Sequence, residues 1–477
     1  MEGSFFCVFK RVLLFLSLHV LMTCFMHQGY TYGVEGKIAS HTVSVSSLLP
    51  SPSCSPSTTK ASNRKSTMEV IHKHGPCSQL VQDHNPLNHT KILLQDESRV
   101  KWIQSQSSNS SDSLKASAVA RLPAKSGITI GTGNYLVTVG LGTPKKDLTL
   151  IFDTGSPLTW TQCKPCVGSC YSQSDPIFNP SQSSSYANVS CGSKSCSQLT
   201  SVLGGSQCSG STCLFSIRYG DNSSSIGFFA TEKLTISPTE LIDNFKFGCG
   251  ENNQGLFGRA AGLIGLSDNN ISIVEQTAAK YGKYFSYCLP SSTSSTGHLT
   301  FGKDSGAPSS VSFTPLSMVP QSSQFYGISI VGISVEGNPL SIPSTVFSSG
   351  GAIIDSGTVI TRLPPTAYSA LRTAFRKAMA NYTTGPAVSL FDTCYDFSKE
   401  SIVVIPSITF SFAEGVDIDL DPSGIFYVER ASQVCLAFAA NGADSDLVIY
   451  GNVQQKTFEV VYDVAGRKLG FGPNGCS

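Results

Sequence analysis

Leu150-Ile151-Phe152-Asp153-Thr154-Gly155-Ser156-Pro157-Leu158-Thr159 is answered 202 residues later by Ala352-Ile353-Ile354-Asp355-Ser356-Gly357-Thr358-Val359-Ile360-Thr361. Both stretches read as three small or apolar residues, Asp, a hydroxyl residue, Gly, a second hydroxyl residue, any residue, an apolar residue and Thr. The separation is about one domain length. The repeat therefore predicts two homologous lobes facing each other, with their junction near Pro315 to Gln324. A lone Asp-Thr-Gly is usually a chance turn, but two copies after apolar runs, a domain apart, need a common cause.

Working outward, β-branched and aromatic runs bounded by Gly, Pro, Asn or Asp predict strands over 134–142, 148–152, 228–236, 326–335, 352–354, 402–412 and 457–463. Helix signals are few. Ser272-Ile-Val-Glu275 is a capping-box start, and Pro365-Thr366 opens a run with Ala367, Leu371, Phe375, Ala378 and Met379 on one face. With charged residues at only 14% and Ser, Thr and Gly abundant, the composition favours short strands and turns over solvated helices. The expected class is mostly β.

Residues 1–30 read as a signal peptide: Lys10 and Arg11, the apolar run Val12 to Met26, then the small residue Gly29. That run is interrupted by His19 and Thr23 and falls short of the ~20 residues a bilayer needs. No membrane anchor is expected, and the polar stretch 470–477 lacks the tail of a lipid-anchor signal. Residues 31–125, rich in Ser, Pro, Lys and His with one helix-like stretch from Lys91 to Gln106, read as a propeptide. Residues 126–318 and 319–477 are assigned to the N-terminal and C-terminal lobes. Residues 1–125 carry 13 Lys and Arg against 7 Asp and Glu, and the remainder carries 20 against 25. A basic leader thus precedes an acidic body. It is expected to cover an acidic cleft at neutral pH and to loosen as carboxylates protonate; the plainer account is that the imbalance aids export.

Of the 16 cysteines, Cys7 and Cys24 lie in the signal and Cys54 and Cys77 in the leader. The remaining twelve (Cys163, Cys166, Cys170, Cys191, Cys196, Cys208, Cys213, Cys249, Cys288, Cys394, Cys435 and Cys476) predict six disulfides in an exported protein. Seven crowd between positions 163 and 213, so at least one pairs outside that cluster. Their spacing matches no paired zinc knuckle, and no metal or cofactor is expected. Seven of the eight histidines precede residue 90, which leaves His298 alone in the body and makes a Ser-His-Asp hydrolase or a His-rich metal site improbable. His298 itself, within the Ser/Thr-rich stretch 291–300, reads as a solvated loop residue.

The chemistry follows from the repeat. Each copy delivers an Asp at a strand end, and the Gly two residues on (Gly155, Gly357) lets the chain turn tightly beneath the carboxylate. Two such ends meeting across an interface place Asp153 and Asp355 side by side. At contact they share a proton and titrate as a unit, supplying a base and an acid at acidic pH. Thr154 and Ser356 are expected to lock the two turns together, while Ser156 and Thr358 hold the outer carboxylate oxygens.

On these motifs the chain resembles the pepsin-like aspartic proteases, and within them the plant nepenthesin-type group with its cysteine-rich insert, here residues 163–213. The resemblance covers essentially all of 130–477. It implies a bilobal pepsin-like fold with the active site in the cleft between two homologous β lobes. It further implies that Arg218-Tyr219-Gly220-Asp221 through Gly227 is the flap hairpin, with Tyr219 closing over substrate and bonding to Trp160. Ala261 to Leu266 and Val448 to Asn452 resemble the apolar-Gly segments behind the catalytic loops, and Cys394 with Cys435 resembles the second-lobe disulfide of the family. Pro157 stands where a polar residue is expected, and Ser356 where many relatives have Thr; neither removes a reacting group.

The implied function is a secreted endopeptidase of acidic pH, made as a zymogen with its own propeptide as intramolecular inhibitor, monomeric, apoplastic or vacuolar, and acting on polypeptides. Two rivals stand beside it. One is a catalytically silent binding or inhibitory protein on the same fold. The other is a nucleic-acid-associated protease of the chloroplast, which the acidic body and the compact apolar N-terminus oppose. Asn188, Asn222, Asn270 and Asn381 begin glycosylation sequons after the leader. Activation is expected between Arg121 and Gly131.

Overall fold

Each copy of the repeat forms the same local weave. The computed structural model describes residues 39–57, 65–80, 88–108, 134–204, 207–219, 223–255, 257–303, 310–319 and 324–476. Strand Lys146–Asp153 ends on its Asp and pairs in parallel with Gly262–Gly265. Gly262 and Leu263 pair antiparallel with Thr161 and Trp160, and Trp160–Gln162 lies parallel to Gly248, Cys249 and Gly250. In the second copy Ala352–Ile354 lies parallel to Val448–Tyr450, Ile449 opposes Arg362, and Thr361–Leu363 runs parallel to Phe438–Ala440. Such a crossing brings backbone within contact distance of backbone. A Cβ on Gly262 would lie 2.0 Å from the Trp160 carbonyl oxygen, and one on Gly451 2.8 Å from that of Val359. Only glycine fits there.

The fold is mostly β and bilobal. One lobe is built on a fifteen-stranded sheet, the other on a five-stranded sheet holding Ala352–Ile354 and a four-stranded sheet around Ile408–Phe412. The last strands of the chain, Glu459–Asp463 and Lys468–Gly472, return to the first lobe beside Tyr284–Cys288. The expected boundary at 318/319 is therefore crossed by a shared sheet, fastened by Cys288–Cys476. At this seam Phe285 stacks on Tyr462 with centroids 4.4 Å apart, and Tyr326 packs edge-on against the same ring. Buried aromatic pairs of this kind add about 1 kcal/mol each beyond their area.

The leader is part of this architecture. Strand Thr67–His72 inserts between Thr296–Phe301 and the start of Tyr135–Leu141, and Ser40–Ser44 pairs antiparallel with Ile402–Pro406. Cys54–Cys77 closes a loop, and helix His89–Ser108 follows, its Asn88 side chain accepting from the Lys91 amide. The sequence reading of a leader with a single helix thus missed two strands, the one-turn helix Val45–Leu48 and a disulfide. Both strands are short, and their partners lie far along the chain, so nothing beside them in the sequence marks the pairing. Residues Ala39–Ser477 form one compact unit.

The twelve body cysteines pair as Cys163–Cys249, Cys166–Cys170, Cys191–Cys208, Cys196–Cys213, Cys288–Cys476 and Cys394–Cys435. Other expectations need correction. His298 is not a solvated loop residue: it lies in strand Thr296–Phe301, 2% exposed, with Nε2 2.7 Å from Glu459 Oε2. Register explains this, since Cys288 pairs with both residues from its two sides. The run 402–412 breaks at Ser407, after Pro406, and the run 326–335 breaks at Ser329. The expected signal peptide and the expected activation region fall outside the described residues.

Candidate active site

Asp153 and Asp355 meet where the two weaves face each other, 1% and 0% exposed. The turns are cross-linked. The Thr154 amide donates to Ser356 Oγ at 3.1 Å, and the Ser356 amide donates to Thr154 Oγ1 at 3.0 Å. Each carboxylate is held by its own turn: Ser156 Oγ donates to Asp153 Oδ2 at 2.6 Å and Thr358 Oγ1 to Asp355 Oδ2 at 2.5 Å. The Gly155 and Gly357 amides donate to the respective Oδ1 atoms at 2.9 and 3.1 Å. In both turns, then, a hydroxyl holds Oδ2 and a glycine amide holds Oδ1. Behind the second turn, Asn452 Nδ2 donates to the Ser356 carbonyl and Gln455 Nε2 to that of Asp355.

What occupies the space between the carboxylates is the leader. Arg99, from helix His89–Ser108, donates from Nε and Nη2 to Asp355 at 2.8 and 2.7 Å, and from Nη1 and Nη2 to Asp153 at 3.1 and 2.8 Å. Burial alone would lower the guanidinium's pKa, but the two carboxylates raise it above its ordinary value, so its charge is fixed. Room for it comes from the motif glycines: a Cβ on Gly357 would sit 2.3 Å from the guanidinium carbon. One helical turn before Arg99, Asp96 accepts from the Val359 amide at 2.6 Å, the Ile360 amide at 3.3 Å and Arg362 Nη2 at 3.0 Å.

The helix is held by the apolar residues around these charges. Ile92 and Leu93 pack with Val359, Ile360 and Phe391, while Val100 and Ile103 pack with Phe325, Ile353 and Ile449. Gln104 exchanges hydrogen bonds with the Leu447 backbone. Sequence reasoning placed a helix here and missed Asp96, Arg99 and Arg362. A cavity of about 760 Å³ where the leader meets both lobes, lined by His72, His74, His89, Tyr135, Asp421 and Lys456 among others, includes neither Asp153 nor Asp355 in its lining.

On the first-lobe side, Trp160 Nε1 donates to the Tyr219 hydroxyl at 2.6 Å, and Phe257 packs edge-on against both rings. Tyr219 closes strand Thr212–Arg218 back toward Ser224–Ser237 through its amide bond to the Ser223 carbonyl. Gly220 and Asn222 lie outside the described residues. Asn188, Asn270 and Asn381 are exposed.

Two family models match the body, "Xylanase inhibitor N-terminal" over residues 135–303 and "Xylanase inhibitor C-terminal" over 325–473. An aspartyl protease family protein of Arabidopsis thaliana is 53% identical over 468 residues, 97% of this chain and 98% of that one. Aspartyl protease AED1 of the same plant is 51% identical over 97% of this chain and 99% of its own length. Aspartic proteinase nepenthesin-2 of Nepenthes gracilis is 37% identical over 75% and 82%. Among solved structures, edgp matches with TM-score 0.57 at 21% identity, covering 71% of this chain and 91% of its own. Basic 7S globulin from soybean matches at 0.57 and 20%, covering 72% and 91%. At that identity the structural likeness concerns the fold alone.

Proposed function

Because the chain belongs to the plant family of pepsin-like aspartic proteases, we propose that it is an endopeptidase, exported as a precursor, in which Asp153 and Asp355 activate one shared water and Arg99 fills that water's place until the leader is released. The observation that carries this reading is a distance pair: Arg99 Nη2 lies 2.8 Å from Asp153 Oδ1 and 2.7 Å from Asp355 Oδ1. A water between the same two oxygens would make the same two hydrogen bonds.

With the guanidinium gone, the pair holds one proton at acidic pH. The ionised member takes a proton from the water as its oxygen bonds to the scissile carbonyl carbon. The protonated member gives its proton to the carbonyl oxygen, and a tetrahedral diol results. In the collapse, the newly protonated carboxyl gives its proton to the departing nitrogen, a diol hydroxyl returns one to the other carboxylate, and the C–N bond breaks to leave acid, amine and a dyad again holding one proton. Ser156 and Thr358 fix the outer oxygens so that the inner ones stay aimed at the water, and Trp160 steadies Tyr219 over the substrate.

The test is digestion of a denatured protein by the processed chain between pH 3 and 7, with and without pepstatin, beside Asp153→Asn. Acid-favoured cleavage abolished by both treatments is the expected result. The second reading is a binding protein, suggested by a family model named for xylanase inhibitors. It would be favoured by processed, disulfide-intact material that cleaves nothing.

A further inference from the structure

The leader carries a second buried charge pair that the catalytic chemistry does not need. Asp96 is fully buried and Arg362 is 4% exposed, and between them lies the 3.0 Å bond described above. Among the described residues, the only other hydrogen bond of the Arg362 guanidinium goes to the Ile360 carbonyl, at 3.4 Å. The Val359 and Ile360 amides likewise point at the Asp96 carboxylate. Three donors, one of them permanently charged, thus converge on one carboxylate that belongs to the leader. All three sit on the chain segment that leaves Thr358, so they stay with the enzyme when the leader departs.

Resting on the endopeptidase reading, we propose that Arg362 and the Val359 and Ile360 amides form a carboxylate-binding subsite that selects substrates with an acidic residue near the bond cut. Asp96 stands in for that substrate side chain, as Arg99 stands in at the dyad. Residues three apart on a helix have Cβ atoms about 5–6 Å from each other. An extended substrate rises about 3.3 Å per residue. The carboxylate recognised therefore belongs to a residue one or two positions from the scissile bond. The fixed fork of the guanidinium and two backbone donors favour a planar anion over an amide of the same shape, because Gln would turn an NH2 toward donors.

The experiment compares peptides that differ only in Glu or Gln, scanned over the two positions on each side of the cut, using the processed enzyme at pH 5.5. At one position the acidic peptide should be cleaved with kcat/KM about ten- to a hundredfold above its amide twin. Because Glu is half-protonated near pH 4.3, that ratio should fall toward one as the pH is lowered to 3. In Arg362→Met the ratio should lie near one already at pH 5.5. No acidic preference at any position, a preference that ignores pH, or one that survives Arg362→Met each overturns the proposal. If Arg362→Met does not fold, the wild-type pH series alone decides. Failure of the endopeptidase reading looks different, since neither peptide would then be cut, or Asp153→Asn would cut both.

Discussion

Replacing Arg99 by Met in the precursor should release the helix from the dyad while leaving the leader strands in place. Four charge-assisted hydrogen bonds of 2.7 to 3.1 Å are lost, and two buried carboxylates lose their only described cationic partner. Removing one partner of a buried ion pair costs about 3–5 kcal/mol, a factor of roughly 10²–10⁴ in the docking equilibrium. The apolar contacts of Ile92, Leu93, Val100 and Ile103, the Asp96 pair and strand Thr67–His72 remain. The expected state is therefore a leader still attached, with its helix open far more often. Precursor purified at pH 7 and moved to pH 5.5 is assayed for binding of a fluorescent pepstatin derivative and for the initial rate on a quenched peptide, with gels tracking processing. Arg99→Met should bind the inhibitor at once and process at least about a hundredfold faster than wild type. Arg99→Lys, which keeps the charge without the fork, should fall between. The reasoning fails if Arg99→Met is as slow as wild type while both yield equally active processed enzyme.

Acid should act through the leader histidines as well as through the dyad. Burial, aided by neighbouring positive charge, depresses His72 well below 6.5 and His74 to about 3. The docked leader then binds fewer protons than the released one, so docking is at full strength above pH 6.5 and is lost as pH falls toward 3. At pH 4.5 His74 alone works against docking by roughly 2–3 kcal/mol. His72→Gln with His74→Gln should lower the midpoint pH of processing by about one unit; an unmoved midpoint refutes the assignment. Thr154→Val strips the Ser356 amide of its acceptor and should cost about 1–3 kcal/mol, read as a drop of several degrees in the Tm of the processed enzyme. Trp160→Phe removes the donor to the Tyr219 hydroxyl and should lower kcat/KM about tenfold at an unchanged pH optimum. His298→Phe removes the imidazole partner of the buried Glu459 carboxylate, and thermal unfolding should reveal a loss of about 1.5–3 kcal/mol with the active-site chemistry intact.

The site was legible in the sequence because its two halves repeat. Asp153 and Asp355 sit in copies of one ten-residue pattern, and a short pattern is enough to fix a strand end, a tight turn and the hydroxyls around it. The strand runs were readable for the same local reason. Where reading failed, the deciding partner was remote in sequence. His298 looks solvated among serines and threonines, and only the register of Thr296–Phe301, Tyr284–Cys288 and Glu459–Asp463 lays it against Glu459. Strand Thr67–His72 has the alternating burial of an ordinary strand, but its two neighbours in the sheet begin 63 or more residues further on, at Tyr135 and Thr296.

Arg99 is the instructive omission, because a local signal existed. Along the helix the buried positions are Ile92, Leu93, Asp96, Arg99, Val100 and Ile103, a single stripe at helical spacing. Two opposite charges interrupt an otherwise apolar stripe. A solvated helix has no reason to place Asp and Arg there, since burying either unpaired costs several kcal/mol. Such an interruption implies that the surface covered by the helix already holds a complementary pair of charges. The body supplies that pair, with Asp153 and Asp355 facing Arg99 and Arg362 facing Asp96. Read this way, the leader helix is a negative of the cleft: its cation reports the paired carboxylates, and its anion reports a cationic pocket beside them that a substrate can use.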